Sequence, residues 1–558
     1  MSGNRSEGGN TRILVELEEG GSHEFTVTAQ MRARSLADLL AEHGFPLNTR
    51  CGQRGLCRGC EVQLAEGAVI VGQGFQSAPA TVRACEVRVA ERVVVRVPSR
   101  SRIGHRPQVS DTFRIDIPCA HQPLFEPEPG GRDTAFAVDV GTTTIALLLV
   151  DLVSGEVLSR AGGFNEQIRF GDNVLTRIDA ARSREALLAM QAAAVSGTIA
   201  PLLLRACERA GRSPSRIAGG AVAGNTTMLH LLTGADPSSL GVYPFTPLFI
   251  EGKRITASGI GLAAGNYGDT LAPETPLLLL PGIAAYIGAD ITAGIYATGM
   301  MFDQAPSLLV DVGTNGEIVL QSGGHLTACA TAAGPAFEGS GLCCGTRARE
   351  GAISGIEFAL DPFGISMETI GNIPPARAAG ICGSAYLDFL ALGRRRGLLM
   401  QSGRFASEAW QRVPASHRIE NDGGRALRIA GPDGEGGAHI GEVDIAILLQ
   451  AKAAIGAGIE TLLEAAHIDA GGISRLYLAG GFGMHLNVRH AIAAGLLPGF
   501  HEDQVRVVGN SALAGALLAL FDRTTLEEME TLRSQVEVLE LNLQEGFEDR
   551  YVDHLMLP

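Results

Sequence analysis

Apolar residues recur along this chain with two different periods, and the switches between them mark out its elements. Val62 and Leu64 alternate with polar neighbours, and so do Val87, Val89, Val93 and Val95; both stretches predict short half-buried strands. Leu36, Leu39 and Leu40 stand at helical spacing ahead of them. Farther on, Phe136-Ala137-Val138 and Leu308-Leu309-Val310 are brief unbroken apolar runs, each closed by an aspartate, Asp139 or Asp311. Each aspartate is followed by a Gly-Thr turn and a second apolar run, at 145–150 or 318–320. The pattern strand, acid, turn, strand therefore occurs twice, about 170 residues apart, and predicts two similar halves, each opening on a β-hairpin. Ile445, Leu448, Leu449, Ile455, Ile459 and Leu462 line one face of a long helix. A buried strand ends at Leu476-Tyr477-Leu478-Ala479-Gly480-Gly481-Phe482-Gly483, and Val505-Arg506-Val507-Val508 leads through Gly509-Asn510-Ser511 into a helical stretch at 512–520.

Between the two patterns, 98–132 is rich in Pro, Arg and Ser, and ends Phe125-Glu126-Pro127-Glu128-Pro129-Gly130-Gly131. Such a composition predicts a partly extended tether of about 3 Å per residue, with some order where Phe113, Ile115 and Ile117 alternate. The expected organisation is a small domain at 1–97, a linker at 98–132, a first half at 133–300 and a second at 301–558. A chain of 558 residues is too long for one core. The first dozen residues are polar and expected to be disordered.

The repeated turns carry chemistry. Glycine removes the Cβ that would block a close approach, so Gly141, Thr142, Thr143 and Thr144 in one turn, and Gly313, Thr314 and Asn315 in the other, offer backbone N–H and hydroxyl donors to phosphate. Asp139 and Asp311 repel phosphate and read instead as catalytic organisers of Mg²⁺, which neutralises charge on a transferring phosphoryl group. Gly480 and Gly481, with Phe482, would let an adenosine lie against backbone. One such turn is a weak signal, but two with a downstream Ala-Gly-Gly-Phe-Gly form a strong one. No G-x4-G-K-[ST] or G-x-G-x-x-G fingerprint stands at a strand–helix junction. Asn225 or Thr226 reads first as a helix cap, and Glu338 or Arg347 as a partner for phosphate or metal. Glu527, Glu528 and Glu530 read as a solvated helix face, and the histidines as surface or satisfied core groups.

Cys51, Cys57, Cys60 and Cys85 add a second chemistry. Three sulfurs from one glycine-bearing loop and one from a distant segment suit a 2Fe–2S cluster, and the spacing C-x5-C-x2-C is one residue longer than the plant-type loop. Zinc more often uses paired C-x2-C knuckles. Strands and one helix around this loop resemble the β-grasp fold of 2Fe–2S ferredoxins. Cys119, Cys207, Cys329, Cys343, Cys344 and Cys382 show no ligand spacing; packing outweighs a redox reading of the vicinal pair Cys343-Cys344.

Composition narrows the class. A net charge of −15 argues against nucleic-acid binding, which depends on Lys and Arg. No apolar run reaches the roughly 18 residues that span a bilayer, no signal-peptide region opens the chain, and ten cysteines in this length form no disulfide framework. A cytoplasmic protein is expected, with no membrane contact. Glycine, 72 of 558 residues against an average of about 7%, predicts many tight turns.

The paired turns with Gly480-Gly481 resemble the actin, sugar-kinase and chaperone ATPase superfamily. The expected fold is α/β multidomain: an N-terminal β-grasp ferredoxin domain, a linker and duplicated ribonuclease-H-like ATPase halves. That combination is similar to one family, the ATP-dependent reductive activators of corrinoid proteins. The resemblance rests on the Cys loop, 138–144, 224–230, 310–317, 334–339, Gly380-Ile381-Cys382-Gly383-Ser384, 479–483 and the ending Leu555-Met556-Leu557-Pro558. Thr346 stands where the family often has Met, Ala385 where it often has Gly, and Leu557-Pro558 replaces a commoner Phe-Pro. Some relatives carry four-iron clusters near the C-terminus, but no cysteine lies beyond Cys382 here.

The resemblance implies a 2Fe–2S cluster, ATP and Mg²⁺ as cofactors. It implies a corrinoid protein of a methyltransferase system as partner, an external low-potential electron donor, and a homodimer. The methyl donor could be a one-carbon carrier, a methylamine or an O-demethylation substrate. The activity implied is return of Co(II) to Co(I). A plant-type cluster sits near −400 mV, and each further 100 mV uphill costs about 2.3 kcal/mol, so ATP has a physical role. Two other readings compete: a small-molecule kinase with a regulatory cluster, and a non-enzymatic electron carrier or binding module.

Overall fold

The computed structural model describes residues 11–17, 20–47, 53, 55, 60–98, 101, 113, 122–128, 130–263, 265–266, 269–374, 378–421, 424–431, 437–481 and 486–558. The first ten residues, most of 98–121, and Cys51, Cys57 and Phe482 lie outside the described residues. The chain divides into two compact units, 1–106 with 167–172, and 107–166 with 173–558.

The smaller unit is built on a five-stranded sheet in the order Ser22–Val27, Thr11–Leu17, Val93–Val97, Glu61–Glu66, Ala80–Arg83. The first two strands form an antiparallel hairpin, and Thr11–Leu17 then runs parallel to Val93–Val97, with Ile13 opposite Val93 and Val15 opposite Val95. Parallel pairing of an early strand with a late one forces a crossover, which contains helix Leu36–Glu42. Ser35 caps that helix by accepting the Asp38 N–H at 3.1 Å. Leu36, Leu39 and Leu40 are fully buried against Ile13, Val15, Val62 and Val95. Burial of each such leucine is worth about 2 kcal/mol.

The larger unit repeats one topology. In the first copy, Thr134–Val140, Thr144–Asp151 and Val157–Phe164 form an antiparallel meander; Ile217–Gly224 then returns parallel beside Thr134–Val140, and Pro276–Leu279 parallel beside that. In the second copy, Ser307–Val312, Gly316–Ser322 and His325–Thr331 form the meander; Arg475–Ala479 and Val505–Gly509 follow in the same parallel places. The expected duplication is therefore present strand for strand. The sixth strands differ: Lys253–Thr256 runs antiparallel in the first sheet and Val536–Val538 parallel in the second.

Helices Ala289–Thr298 and Ser511–Phe521 pack closely, and two glycines make that approach feasible. A Cβ on Gly515 would lie 2.4 Å from the Ala293 carbonyl oxygen, and one on Gly294 would lie 2.8 Å from Ser511 Oγ.

Three expectations need correction. Residues 184–210 and 442–465 are helical stretches long and apolar enough, by length and composition, to cross a membrane, against the expectation of no apolar run of that length. The polar residues that interrupt them are few, and both stretches lie mostly inside the unit. The downstream end of the linker is docked: Gln122 and Leu124 donate N–H bonds of 2.7 and 2.8 Å to the Phe521 and Leu520 carbonyls. The Phe125 ring covers Gly219, where a Cβ would fall 2.4 Å from it. Finally, the acidic face of helix Thr525–Gln535 is not all solvated. Glu528 accepts the Tyr296 hydroxyl at 2.7 Å, and Glu530 accepts the Gly252 N–H.

Candidate functional site

Both acidic turns open onto one cleft of the larger unit. Gly141 makes the first turn tight, since a Cβ there would sit 2.5 Å from the Thr144 carbonyl oxygen. Asn165 donates its amide to the Gly141 carbonyl at 2.9 Å, and Arg177 bonds the Thr142 carbonyl. Thr144 begins the second strand and pairs with Phe164. In the second turn the Gly313 N–H bonds the Asn315 carbonyl at 3.0 Å.

The turns meet through side chains. Thr143 and Thr314 hydroxyl oxygens lie 3.3 Å apart, and one carboxylate accepts from both. Glu338 takes Thr143 on Oε2 at 2.6 Å and Thr314 on Oε1 at 2.9 Å. Arg347 completes this clasp, with Nε 3.7 Å from Glu338, Nη2 3.5 Å from Thr143 and its guanidinium over the Phe164 ring. Asn225 does two jobs. It caps helix Thr226–Thr233 through Met228 N–H and donates to Thr142 Oγ1, each at 2.9 Å.

Four carboxylates crowd the same cleft. Asp139, Asp290 and Asp311 keep part of their surface open, while Glu317 is buried. Desolvation pushes Asp139 up to about 6, although the Asn510 amide at 2.9 Å opposes the rise. Desolvation and then the nearby Asp139 charge push Asp311 up to about 7. Asp290 rises to about 8, from desolvation first and then the charges of Asp311 and Asp139. Glu317 is raised well above its ordinary value by burial and by Asp290 and Asp311. Among the described residues, no ion pair to Lys, Arg or His offsets them. Like charges gathered this way hold protons or a cation. The donor set is oxygen only, which suits a hard divalent ion such as Mg²⁺.

Beside this set there is open space at Gly313. A Cβ on Gly313 would meet nothing nearer than Asn315 O at 3.8 Å and a Glu338 oxygen at 4.0 Å, so the protein's own packing does not require glycine there. Gly480 is different. Its φ is +93°, and a Cβ would lie 2.5 Å from Val312 O and 2.7 Å from Asp311 Oδ1. Gly481 follows at the exposed end of strand Arg475–Ala479.

The structure thus brings together Asp139, Asp311, the Thr142–Thr143 and Gly313–Thr314 turns, and Gly480. Sequence reasoning missed Asp290, Glu317 and the cap Asn510. Asp290 starts helix Ala289–Thr298 with no turn motif around it. Glu317 was readable as the residue opposite Asp311 across the predicted hairpin.

In the smaller unit, Cys60 Sγ and Cys85 Sγ lie 3.4 Å apart. Two thiolates on one tetrahedral metal sit about 3.7 Å apart at a metal–sulfur distance of about 2.3 Å, so the pair fits shared ligation. The bond with Cys85 lowers the Cys60 thiol to about 7, against burial, which favours the ligating thiolate. Gly55 has φ +69°, and a Cβ there would strike Glu86 Oε1 at 2.1 Å, so the Cys loop is tight at that point.

A duplicated sheet topology with two acidic turns facing one cleft defines the class of actin-, sugar-kinase- and chaperone-type ATPases. Residues 134–303 match the family description "RACo middle region", and 305–558 match "C-terminal domain of RACo the ASKHA domain". The chain belongs to the RACo family. It is 32% identical over 393 residues to the corrinoid activation enzyme RamQ of Eubacterium limosum, a match covering 69% of this chain and 64% of that relative. The chain thus spans somewhat less than two thirds of that relative's length. It is 24% identical over 444 residues to the [Co(II) methylated amine-specific corrinoid protein] reductase of Methanosarcina barkeri, covering 75% and 76% of the two chains. A solved reductive activator for corrinoid,iron-sulfur protein superposes with a TM-score of 0.70 at 28% identity, covering 98% of both chains.

Proposed function

We propose that this protein reductively activates a corrinoid protein of a methyl-transfer system, using ATP hydrolysis to drive one electron onto Co(II) and restore Co(I). What carries the reading is the coexistence in one chain of two Gly-Thr turns clasped to each other through Thr143–Glu338–Thr314 and a close thiol pair, Cys60–Cys85. The names of the two relatives and the full-length structural likeness support the same activity.

The residues divide the work. The Thr142–Thr143 and Gly313–Thr314 turns bind the polyphosphate from two sides, and Gly480 lets the nucleotide lie close to the second turn. Asp139, Asp290, Asp311 and Glu317 would hold the cation in place of the protons they otherwise retain. Mg²⁺ bound there would supply neutralisation of the charge on the transferring phosphoryl group. Glu338 and Arg347 tie the turns together, so a change at the γ-phosphate reaches both halves of the fold.

In the smaller unit Cys60 and Cys85, with Cys51 and Cys57, would hold a 2Fe–2S cluster, which supplies one-electron relay at low potential. The mixed sheet around them, with its hairpin and crossover helix, supports the β-grasp reading. Nucleotide drives the reduction only through different affinities for two conformations; the conformation favoured by ATP alters cobalt ligation in the partner and raises its potential. An external low-potential donor reloads the protein, which acts in the cytoplasm as a homodimer.

The test is anaerobic. Purified protein, reductant and a candidate corrinoid protein are mixed, and the Co(I) absorption band is followed after ATP addition. ATP should raise both yield and rate. The same yield and rate with and without ATP would overturn the reading.

A further inference from the structure

The loop that joins Glu338 to Arg347 carries a second cluster of ligating groups, assembled with a residue almost a hundred positions away. Cys343 Sγ lies 3.4 Å from His439 Nε2, and Cys344 Sγ lies 3.5 Å from His439 Nδ1. One donor atom from each of the three residues falls within 4.8 Å of the others. A sulfur and a nitrogen on one tetrahedral metal are separated by about 3.5 Å, given metal–sulfur and metal–nitrogen distances of about 2.3 and 2.0 Å. The Cys343–Nε2 spacing matches that edge, while Cys344 Sγ lies beside the ring's other nitrogen, which is not a ligand to the same ion.

The surroundings favour ligation. His439 Nδ1 lies 3.1 Å from the Gly437 carbonyl, so the ring can donate its Nδ1–H there and keep Nε2 as a ligand beside Cys343. A histidine held through its other nitrogen is the usual support of a metal ligand. Asp444 fixes the backbone on both sides, accepting Cys343 N–H at 2.7 Å and Gly441 N–H at 3.1 Å. The Cys344 carbonyl is pinned by Ile381 N–H at 2.8 Å. The three donors are thus held by backbone bonds from three separate segments. Cys343 is exposed and Cys344 half-buried, which leaves a path for an ion from solvent.

We propose that Cys343, Cys344 and His439 form a binding site for a thiophilic metal ion of the Zn²⁺ type, separate from the cluster cysteines and from the carboxylates of the ATP cleft. Binding displaces the two thiol protons and leaves a fourth position for water. Two thiolates and an imidazole select a soft or borderline ion over Mg²⁺, which takes oxygen ligands. The ion fastens the loop between Glu338 and Arg347 to the strand Ala438–Gly441.

The test uses the full chain with its iron–sulfur cluster loaded, kept anaerobic and freed of loose metal. Zn²⁺ is titrated against a chromophoric chelator, with iron content followed throughout. Wild-type protein should hold one more zinc ion per chain than His439→Ala or Cys343→Ser. Equal zinc content in wild type and His439→Ala would overturn the proposal. A second measurement needs no variant: alkylation of Cys343 and Cys344 in native protein, mapped by peptide mass, should slow at least tenfold with one equivalent of Zn²⁺. Addition of chelator should reverse that protection. Unchanged alkylation would overturn the proposal equally.

Discussion

At the scale of single residues, the cleft is dominated by carboxylates that fold reluctantly into one another's company. Asp139, Asp311 and Asp290 titrate near 6, 7 and 8, all above the unfolded value of about 4. A raised folded pKa means that their contribution to stability is present at low pH and is lost as pH rises through 6 to 8. Without divalent ions, melting temperature should therefore fall between pH 6 and pH 8.5. At the proposed cation site Mg²⁺ would take the place of the protons, so its stabilising shift should be larger at pH 8.5 than at pH 6, and Asp290→Asn should flatten the difference. Thermal melts with and without EDTA at both pH values check this; equal Mg²⁺ shifts would refute it. Glu338 is the other residue of consequence. Glu338→Gln leaves one oxygen to serve two hydroxyls, and losing one charge-assisted bond worth about 1.5 kcal/mol should slow corrinoid-stimulated ATP hydrolysis about tenfold. Phosphate release measures it.

At the scale of elements, the site depends on helix ends and helix crossings. Asn510 caps helix Ser511–Phe521 by accepting Leu513 N–H at 2.7 Å, and its amide donates to Asp139. Asn510→Ala should lose about 1 kcal/mol of capping along with the Asp139 contact. Asn510→Asp should keep the cap yet place a further carboxylate in the cleft, so stability at pH 6 should recover while ATP turnover does not. Paired melts and phosphate-release assays separate the two effects. The helix crossing is equally exacting: Gly515→Ala puts a methyl 2.4 Å from Ala293 O, and nothing there is a flexible side chain. That variant should lower the melting temperature by several degrees, in line with overpacking costs of about 1–3 kcal/mol.

At the scale of the whole molecule, the proposed function places two chemistries in one chain, and these should separate by mutation. Cys60→Ser should bleach the cluster and abolish Co(I) formation while leaving basal ATP hydrolysis within about twofold of wild type. Asp139→Asn should keep the cluster's colour and lose ATP-dependent reduction by at least about tenfold. Visible absorption, phosphate release and the Co(I) band together read out both variants. Loss of cluster colour in Asp139→Asn would contradict this separation.

Much of this protein is written in local pattern. The alternation around Val138 and Val310 specifies both hairpins, because strand pairing between neighbours in sequence needs only period and turn chemistry, and the duplication follows from the repeat itself. The long helix Glu442–Ala465 was equally legible from its apolar stripe. What the chain's order could not disclose is which distant side chains meet. Asp290 and Asn510 enter the cleft, and His439 reaches Cys343 and Cys344, only because parallel strands and crossing helices fold remote segments together. Nor could the polar residues within 184–210 reveal that this stretch packs inside the unit. Local propensity acts over a few residues, whereas burial and charge clustering belong to the packed whole, and tertiary structure alone decided them.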